Sequence, residues 1–121
     1  GIGRRLKEFN PNIQIICVEY DEWPGVEGLK PLGEGHIIPD TFDRSIVDRM
    51  LYVDILECYD LSRDLAKKGL FIGQSSGVYL YGAMKIANEI RDGKIVTIFN
   101  DIGERYFSTS LWEEEPAALN V

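Results

Sequence analysis

The stretch that most constrains the fold of this 121-residue chain runs from Gly69 to Ile90. A short apolar run, Leu70 to Ile72, reads as a strand. Gly73-Gln-Ser-Ser-Gly77 then makes a tight turn, and a helical pattern follows. Tyr79, Ala83, Ile86 and Ile90 recur at spacings that put them on one face of that helix. The first N–H groups of a helix lack internal partners, and the positive end of its dipole points the same way. A strand that ends in glycine and serine and opens a helix is therefore a ready site for an anion or a dipole. Two hydroxyls, Ser75 and Ser76, stand at its mouth.

A chain of this length suits one compact domain with a core of its own. Its formal net charge of −7 argues against nucleic acid or an anionic membrane as partner, because both would repel it. Neither a signal peptide nor an apolar run of transmembrane length is present in the sequence, so the cytoplasm is the expected compartment. Cys17 and Cys58 lie far apart within apolar or helical patterns and read as buried free thiols in a reducing environment. The opening Gly1-Ile-Gly-Arg-Arg-Leu-Lys-Glu-Phe9 already looks helical, without an initiating Met or a capping side chain. That opening predicts a segment cut from a longer chain.

Helix one is expected over about Ile2 to Phe9, ending at Asn10-Pro11, since proline disfavours helix in the residue before it. Ile13 to Glu19 is nearly continuous and β-branched, as in a strand buried on both faces of a parallel sheet. From Tyr20 to Ser45, prolines and glycines mark a long irregular stretch, the kind that is usually functional or covered by a partner. Met50 to Val53 reads as a second strand. Asp54 caps the next helix, with Glu57 as its box partner, an apolar stripe of Ile55, Cys58, Leu61 and Leu65, and Gly69 as its stop. Lys94 to Phe99 is the last expected strand, and Tyr106 to Trp112 a short closing element. Residues 1–112 thus form one domain portion, and residues 113–121 read as a flexible acidic tail. Strands alternating with helices predict an α/β fold, a three-layer sandwich with a mostly parallel sheet flanked by helices. In such folds ligands sit beyond the carboxyl ends of the strands. Two loops fall there, 73–77 and 100–104, with a crevice expected between the Ser75 bend and Asp101.

The pentapeptide at Gly73 matches the G-x-S-x-G elbow of serine hydrolases. That chemistry needs a histidine after the serine, and the only one, His36, precedes it. A glycine-serine helix start with only a capping role is the plainer alternative. His36 has no cysteine or second histidine near it, so a metal centre is not expected. Asp101 and Glu104 could do acid-base work at a strand end or could cap the following turn. The Glu113-Glu-Glu115 run reads as solvated charge.

Three segments together resemble one family: Gly73-Gln-Ser-Ser-Gly77, Asp101-Ile-Gly-Glu-Arg-Tyr-Phe-Ser-Thr-Ser-Leu-Trp112, and the opening through Pro11. In matching order they are similar to the C-terminal part of the cysteine synthase (O-acetylserine sulfhydrylase) family, fold-type II enzymes that use pyridoxal 5′-phosphate. The resemblance implies part of the tryptophan synthase β-like fold. It also implies formation of L-cysteine from O-acetylserine, or a similar activated serine, and a sulfur donor, through an aminoacrylate. Carried over, Ser75 is the partner of the cofactor's pyridine nitrogen, with Gly73 beside it. Gly28 and Asp101 are further cofactor-binding candidates. A neutral hydroxyl does not hold that nitrogen protonated, and the weaker electron sink favours β-elimination. Three residues depart from the family pattern: Gln74, where a small apolar residue is usual, and Asn100 and Ile102, where proline and serine are common. The family's Schiff-base lysine and substrate loop lie in its N-terminal domain, and its phosphate loop would fall just before Gly1. The resemblance therefore implies no catalytic residue in this segment, an inactive segment in isolation, the missing N-terminal domain as partner, and a homodimer for the whole enzyme. Within the same fold, cystathionine β-synthase or serine/threonine dehydratase chemistry is an alternative. A non-catalytic interaction domain that keeps the scaffold is another.

Overall fold

The computed structural model describes residues 1–20, 25–33 and 35–113. Helix α1 (Ile2–Phe9) stops at Asn10, whose extended backbone (φ −149°, ψ 107°) is what the following proline demands. No residue of α1 is buried, and charge holds the helix in place. Lys7 Nζ lies 2.7 Å from Asp48 Oδ2, and Arg4 Nη2 lies 3.1 Å from Asp43 Oδ2. Asp48 also accepts from the Ile15 backbone N–H at 2.7 Å. It thereby ties the entry of the first strand to the turn before the second.

Strand β1 (Ile16–Tyr20) pairs in parallel with β2 (Arg49–Val53), Ile16 opposite Arg49 and Tyr20 opposite Val53. The first strand is half-buried along Ile16 to Val18 and fully buried only at Glu19 and Tyr20. Helix α2 (Ile55–Lys67) begins where expected: Asp54 Oδ1 accepts from the Glu57 N–H at 3.1 Å. The Glu57 carboxylate accepts from the Tyr81 hydroxyl, which links α2 to the next helix. After α2, Gly69 takes a left-handed φ of +93° that a side chain would resist. Helix α3 (Gln74–Glu89) then lies against α2 and both strands. The described residues close with two short 3-10 turns, Gly103–Tyr106 and Ser110–Trp112, which bury Tyr106 and Leu111. Val78, at 0% exposure, sits at the centre of the core with Leu51, Val53, Cys58 and Leu111.

Close approach of α3 to its neighbours is made possible by glycine. A Cβ on Gly77 would lie 2.1 Å from Ser62 Oγ on α2, and one on Gly82 would lie 2.8 Å from a Val18 methyl on β1. These contacts decide which face is buried. The expected stripe is half-buried at Tyr79, Ala83 and Ile86, and the fully buried line runs beside it through Val78 and Gly82, because only the glycine side lets α3 come near. Tyr79 and Ile86 remain half-buried against the core, while Ile90 ends the helix with extended backbone and is 42% exposed.

Two expected strands are not strands among the described residues. Leu70 to Ile72 contributes a single antiparallel bridge, Ile72 to Ile102, because the Leu70 N–H is taken by Leu65 O at 2.9 Å as the chain leaves α2. Lys94 to Phe99 is unpaired; Val96 is 90% exposed and Ile98 52%. A β-branched run is stabilised as a strand by a neighbour, and among the described residues none lies beside this one. The tail expected from Glu113 lies, from residue 114 on, outside the described residues. Among those described, no helix is long and apolar enough to cross a membrane.

Both cysteines are free, Cys58 buried and Cys17 half-buried. Burial, reinforced by Asp54 and Glu57, pushes the Cys58 thiol up to about 12. Cys58 is therefore expected to resist alkylation at neutral pH until denaturant is added, a result mass spectrometry reads directly. Substituting Gly77→Ala forces α2 away from α3 and should cost about 1–3 kcal/mol in urea unfolding, the range for overpacking a well-packed site. The Asp48 carboxyl is held below the usual range, first by Lys7 and then by the Ile15 N–H. A lowered folded-state pKa contributes stability above the unfolded value and loses it as pH falls through the folded one. Docking of α1 should therefore be complete at neutral pH and loosen only below the ordinary aspartate range. Hydrogen exchange of the α1 amides against pH checks this, with Asp48→Asn loosening the helix at neutral pH.

Candidate functional site

The bend at Gly73 is built by what packs onto it. The Gly73 N–H donates to Asp101 O at 3.2 Å. A Cβ at Gly73 would lie 1.9 Å from Asp101 Oδ1 and 2.7 Å from the Tyr106 ring. Glycine is thus required here so that a carboxylate can lie on the backbone. Asp101 Oδ2 accepts from the Tyr106 hydroxyl. Burial, then the Asp101 charge, pushes that phenol up to about 12 and keeps it a donor at neutral pH. Asp101 Oδ1 is buried with no hydrogen-bond partner among the described residues.

Gln74, 2% exposed, carries the bend on the other side. Its Oε1 accepts from the Glu27 N–H at 2.8 Å, and its Nε2 donates to Tyr59 Oη at 3.0 Å and Thr109 Oγ1 at 3.2 Å. The Tyr59 hydroxyl in turn donates to Gly25 O at 3.1 Å. One amide therefore joins the Gly25–Leu29 loop, α2 and the closing turn to the first residue of α3. Gly28 belongs to that loop; its φ is +81°, and nothing lies within 4 Å of where its Cβ would be.

Ser75 and Ser76 follow, 6% and 0% exposed. Ser76 Oγ accepts from the Asn100 backbone N–H at 3.0 Å, and Ser75 Oγ accepts from Asn100 Nδ2 at 3.4 Å. The Ser75 proton has no acceptor among the described residues.

Of the candidates read from sequence, Ser75, Gly73 and Asp101 come together, and Gly28 is joined to them through Glu27 and Gln74. Between the Ser75 bend and Asp101, where a crevice is expected, the two segments are hydrogen-bonded to each other: Gly73 N–H to Asp101 O, and Asn100 to both serines. A groove of about 220 Å³ lies at the far end of α3, lined by Ala87, Ile90, Arg91, Asp92, Gly93 and Ile95. Lys85 is spent on the Tyr81 ring, 5.4 Å from its centroid. Among the described residues no group of His, Cys, Asp and Glu could hold a metal ion. Sequence reasoning missed Tyr59, Tyr106 and Thr109 as members of the site. It placed Gln74 and Asn100 in the two loops at the ligand end and noted them as departures from a pattern but gave neither a role, although a polar amide at the start of a buried turn is itself a signal of a local network.

A glycine-serine bend at a helix start, an aspartate laid on it and a parallel α/β core define a class of protein, and comparison with known chains identifies it. No protein-family model matches the chain. Its fold superposes on a hydrogen sulfide-producing enzyme of Fusobacterium nucleatum, solved with an α-aminoacrylate intermediate. The TM-score is 0.82 and the identity 32%, over 99% of this chain and 38% of that one. A cysteine synthase of Entamoeba histolytica gives a TM-score of 0.79 at 30% identity, over 95% of this chain and 37% of the other. These are α/β enzymes of the cysteine synthase and tryptophan synthase β-like fold. In sequence, the chain is 43% identical to a cysteine synthase of Aquifex aeolicus over 95% of its own length and 37% of the relative's. The chain belongs to the cysteine synthase family, and it spans a little over a third of the length of the relatives it matches.

Replacing Gln74 with leucine keeps the volume and removes the amide, breaking its buried bond to Tyr59 and its part-buried bonds to Glu27 and Thr109. A loss on the order of 2 kcal/mol is expected in thermal or urea unfolding. Equal stability of the two forms would show that the amide is not what joins these segments.

Proposed function

We propose that this chain is part of a pyridoxal 5′-phosphate-dependent enzyme that makes L-cysteine. O-acetylserine, or a similar activated serine, would lose its β-substituent, and a sulfur donor would take its place. With hydrogen sulfide the balance is O-acetylserine plus hydrogen sulfide giving cysteine plus acetic acid. The observation that carries the proposal is Ser75: a buried, neutral hydroxyl at a helix start, supplied with a donor by Asn100 and left with a proton of its own to give.

That donor set fits the pyridine edge of the cofactor. Ser75 would donate to the ring nitrogen, and Gly73, covered by Asp101 and Tyr106, would hold the bend that presents it. The buried Asp101 oxygen without a partner would fix the bend's electrostatics at that edge. Gly28, with open space where a Cβ would be, would line the ring's flank. Bound pyridoxal phosphate would supply the electron sink for losing the Cα proton and the β-substituent. A serine hydroxyl leaves the ring nitrogen unprotonated where a carboxylate would protonate it, and this suits elimination of a good leaving group. The Schiff-base lysine, the phosphate loop and the substrate-carboxylate loop would come from the rest of the enzyme, which would act as a homodimer.

Two measurements test this. The isolated chain mixed with pyridoxal phosphate should develop no stable visible band of a protein-bound cofactor, whereas the full-length enzyme should. In the full-length enzyme, Ser75→Ala should weaken cofactor binding about fivefold, the worth of one ordinary hydrogen bond, and slow cysteine formation. Unchanged affinity and rate would remove Ser75 from the cofactor site.

A further inference from the structure

The hydroxyl of Ser75 is constrained in which way it can hydrogen-bond. Asn100 Nδ2 donates to Ser75 Oγ at 3.4 Å. The Asn100 backbone is pinned beside it by its N–H, which donates to Ser76 Oγ at 3.0 Å. An amide nitrogen donates and does not accept, so Ser75 can only receive from it. The serine proton is then left without an acceptor among the described residues. A proline at position 100, common in the family this chain resembles, would have neither the side-chain amide nor the N–H that holds it.

We propose that Asn100 is a positioning residue that, by donating to Ser75 Oγ rather than accepting from it, keeps the serine proton available to the group Ser75 faces and so favours that group's unprotonated state. This rests on the reading of Ser75 as the partner of the cofactor's ring nitrogen, and deepens it. A hydroxyl that donates to that nitrogen needs its lone pair free; one that accepts from it needs the nitrogen protonated. By donating a hydrogen bond to Ser75 Oγ, Asn100 leaves the serine's own proton for the unprotonated ring, and a donor chain of this kind strengthens each of its links.

The test uses the full-length enzyme reconstituted with pyridoxal 5′-phosphate carrying ¹⁵N in its ring, read by ¹⁵N NMR at neutral pH. The unaltered enzyme should show the shift of an unprotonated pyridine. Asn100→Asp replaces the donor by a carboxylate that accepts the serine proton and turns Ser75 into an acceptor; the resonance should move toward the pyridinium position. Asn100→Ala should move it less in the same direction and weaken cofactor binding about fivefold. A purely structural effect would reduce the amount of bound cofactor without moving the shift, and would overturn the proposal. So would two Asn100 variants with the original shift beside a Ser75→Ala enzyme whose shift moves, an outcome that leaves Ser75 itself in place. If Ser75→Ala also keeps the original shift, the cofactor reading falls with it.

Discussion

One buried amide holds the functional end of this chain together. Gln74 satisfies its oxygen and both uses of its nitrogen on three different segments, at 2.8, 3.0 and 3.2 Å. Away from water such a network is stabilising only when each member finds its partner. Because each does, the Gly25–Leu29 loop, α2 and the closing turn are fixed in register with the first turn of α3. Asp101 closes the opposite side by lying directly on Gly73. Between the two, Ser75 has little freedom. A hydroxyl held this way can serve as a fixed reference for a bound ring, because its position is set by groups that themselves cannot move.

The same chain shows what it lacks. The two-stranded parallel sheet buries a core on the side of α2 and α3, yet Val96, Ile98 and Phe99 lie outside any strand and exposed. An unpaired apolar run of this kind is an edge that folded proteins ordinarily cover. Strands from the remainder of the enzyme would bury it. They would also supply the lysine and phosphate loop that the Ser75 bend does not contain. On the proposed function the Ser75 bend would be one wall of a cleft that the remainder of the enzyme completes.

How much of this was legible in the sequence depended on whether the signal was local. The Asn10-Pro11 stop, the Asp54 cap and the Gly69 terminator follow from backbone rules that act within a few residues, and they appear as expected. The glycine-serine bend and the run from Asp101 to Trp112 carried the family resemblance, because together they specify a site. What was not legible depended on distant partners. The buried face of α3 was misjudged because Gly77 and Gly82 matter through Ser62 and Val18, which no helical period reveals. Lys94 to Phe99 has the composition of a strand, but pairing belongs to a neighbour. Gln74 looked like a deviation, since its three partners come from positions 27, 59 and 109.

The most direct test of the account is a crystal structure of the full-length enzyme with pyridoxal 5′-phosphate bound. The account predicts Ser75 Oγ within ordinary hydrogen-bond reach of the ring nitrogen, about 2.7–3.2 Å, with the Gly73 bend and the Gly25–Leu29 loop along the ring's edge. A ring bound with its nitrogen turned away from Ser75, or seated elsewhere in the fold, would contradict it.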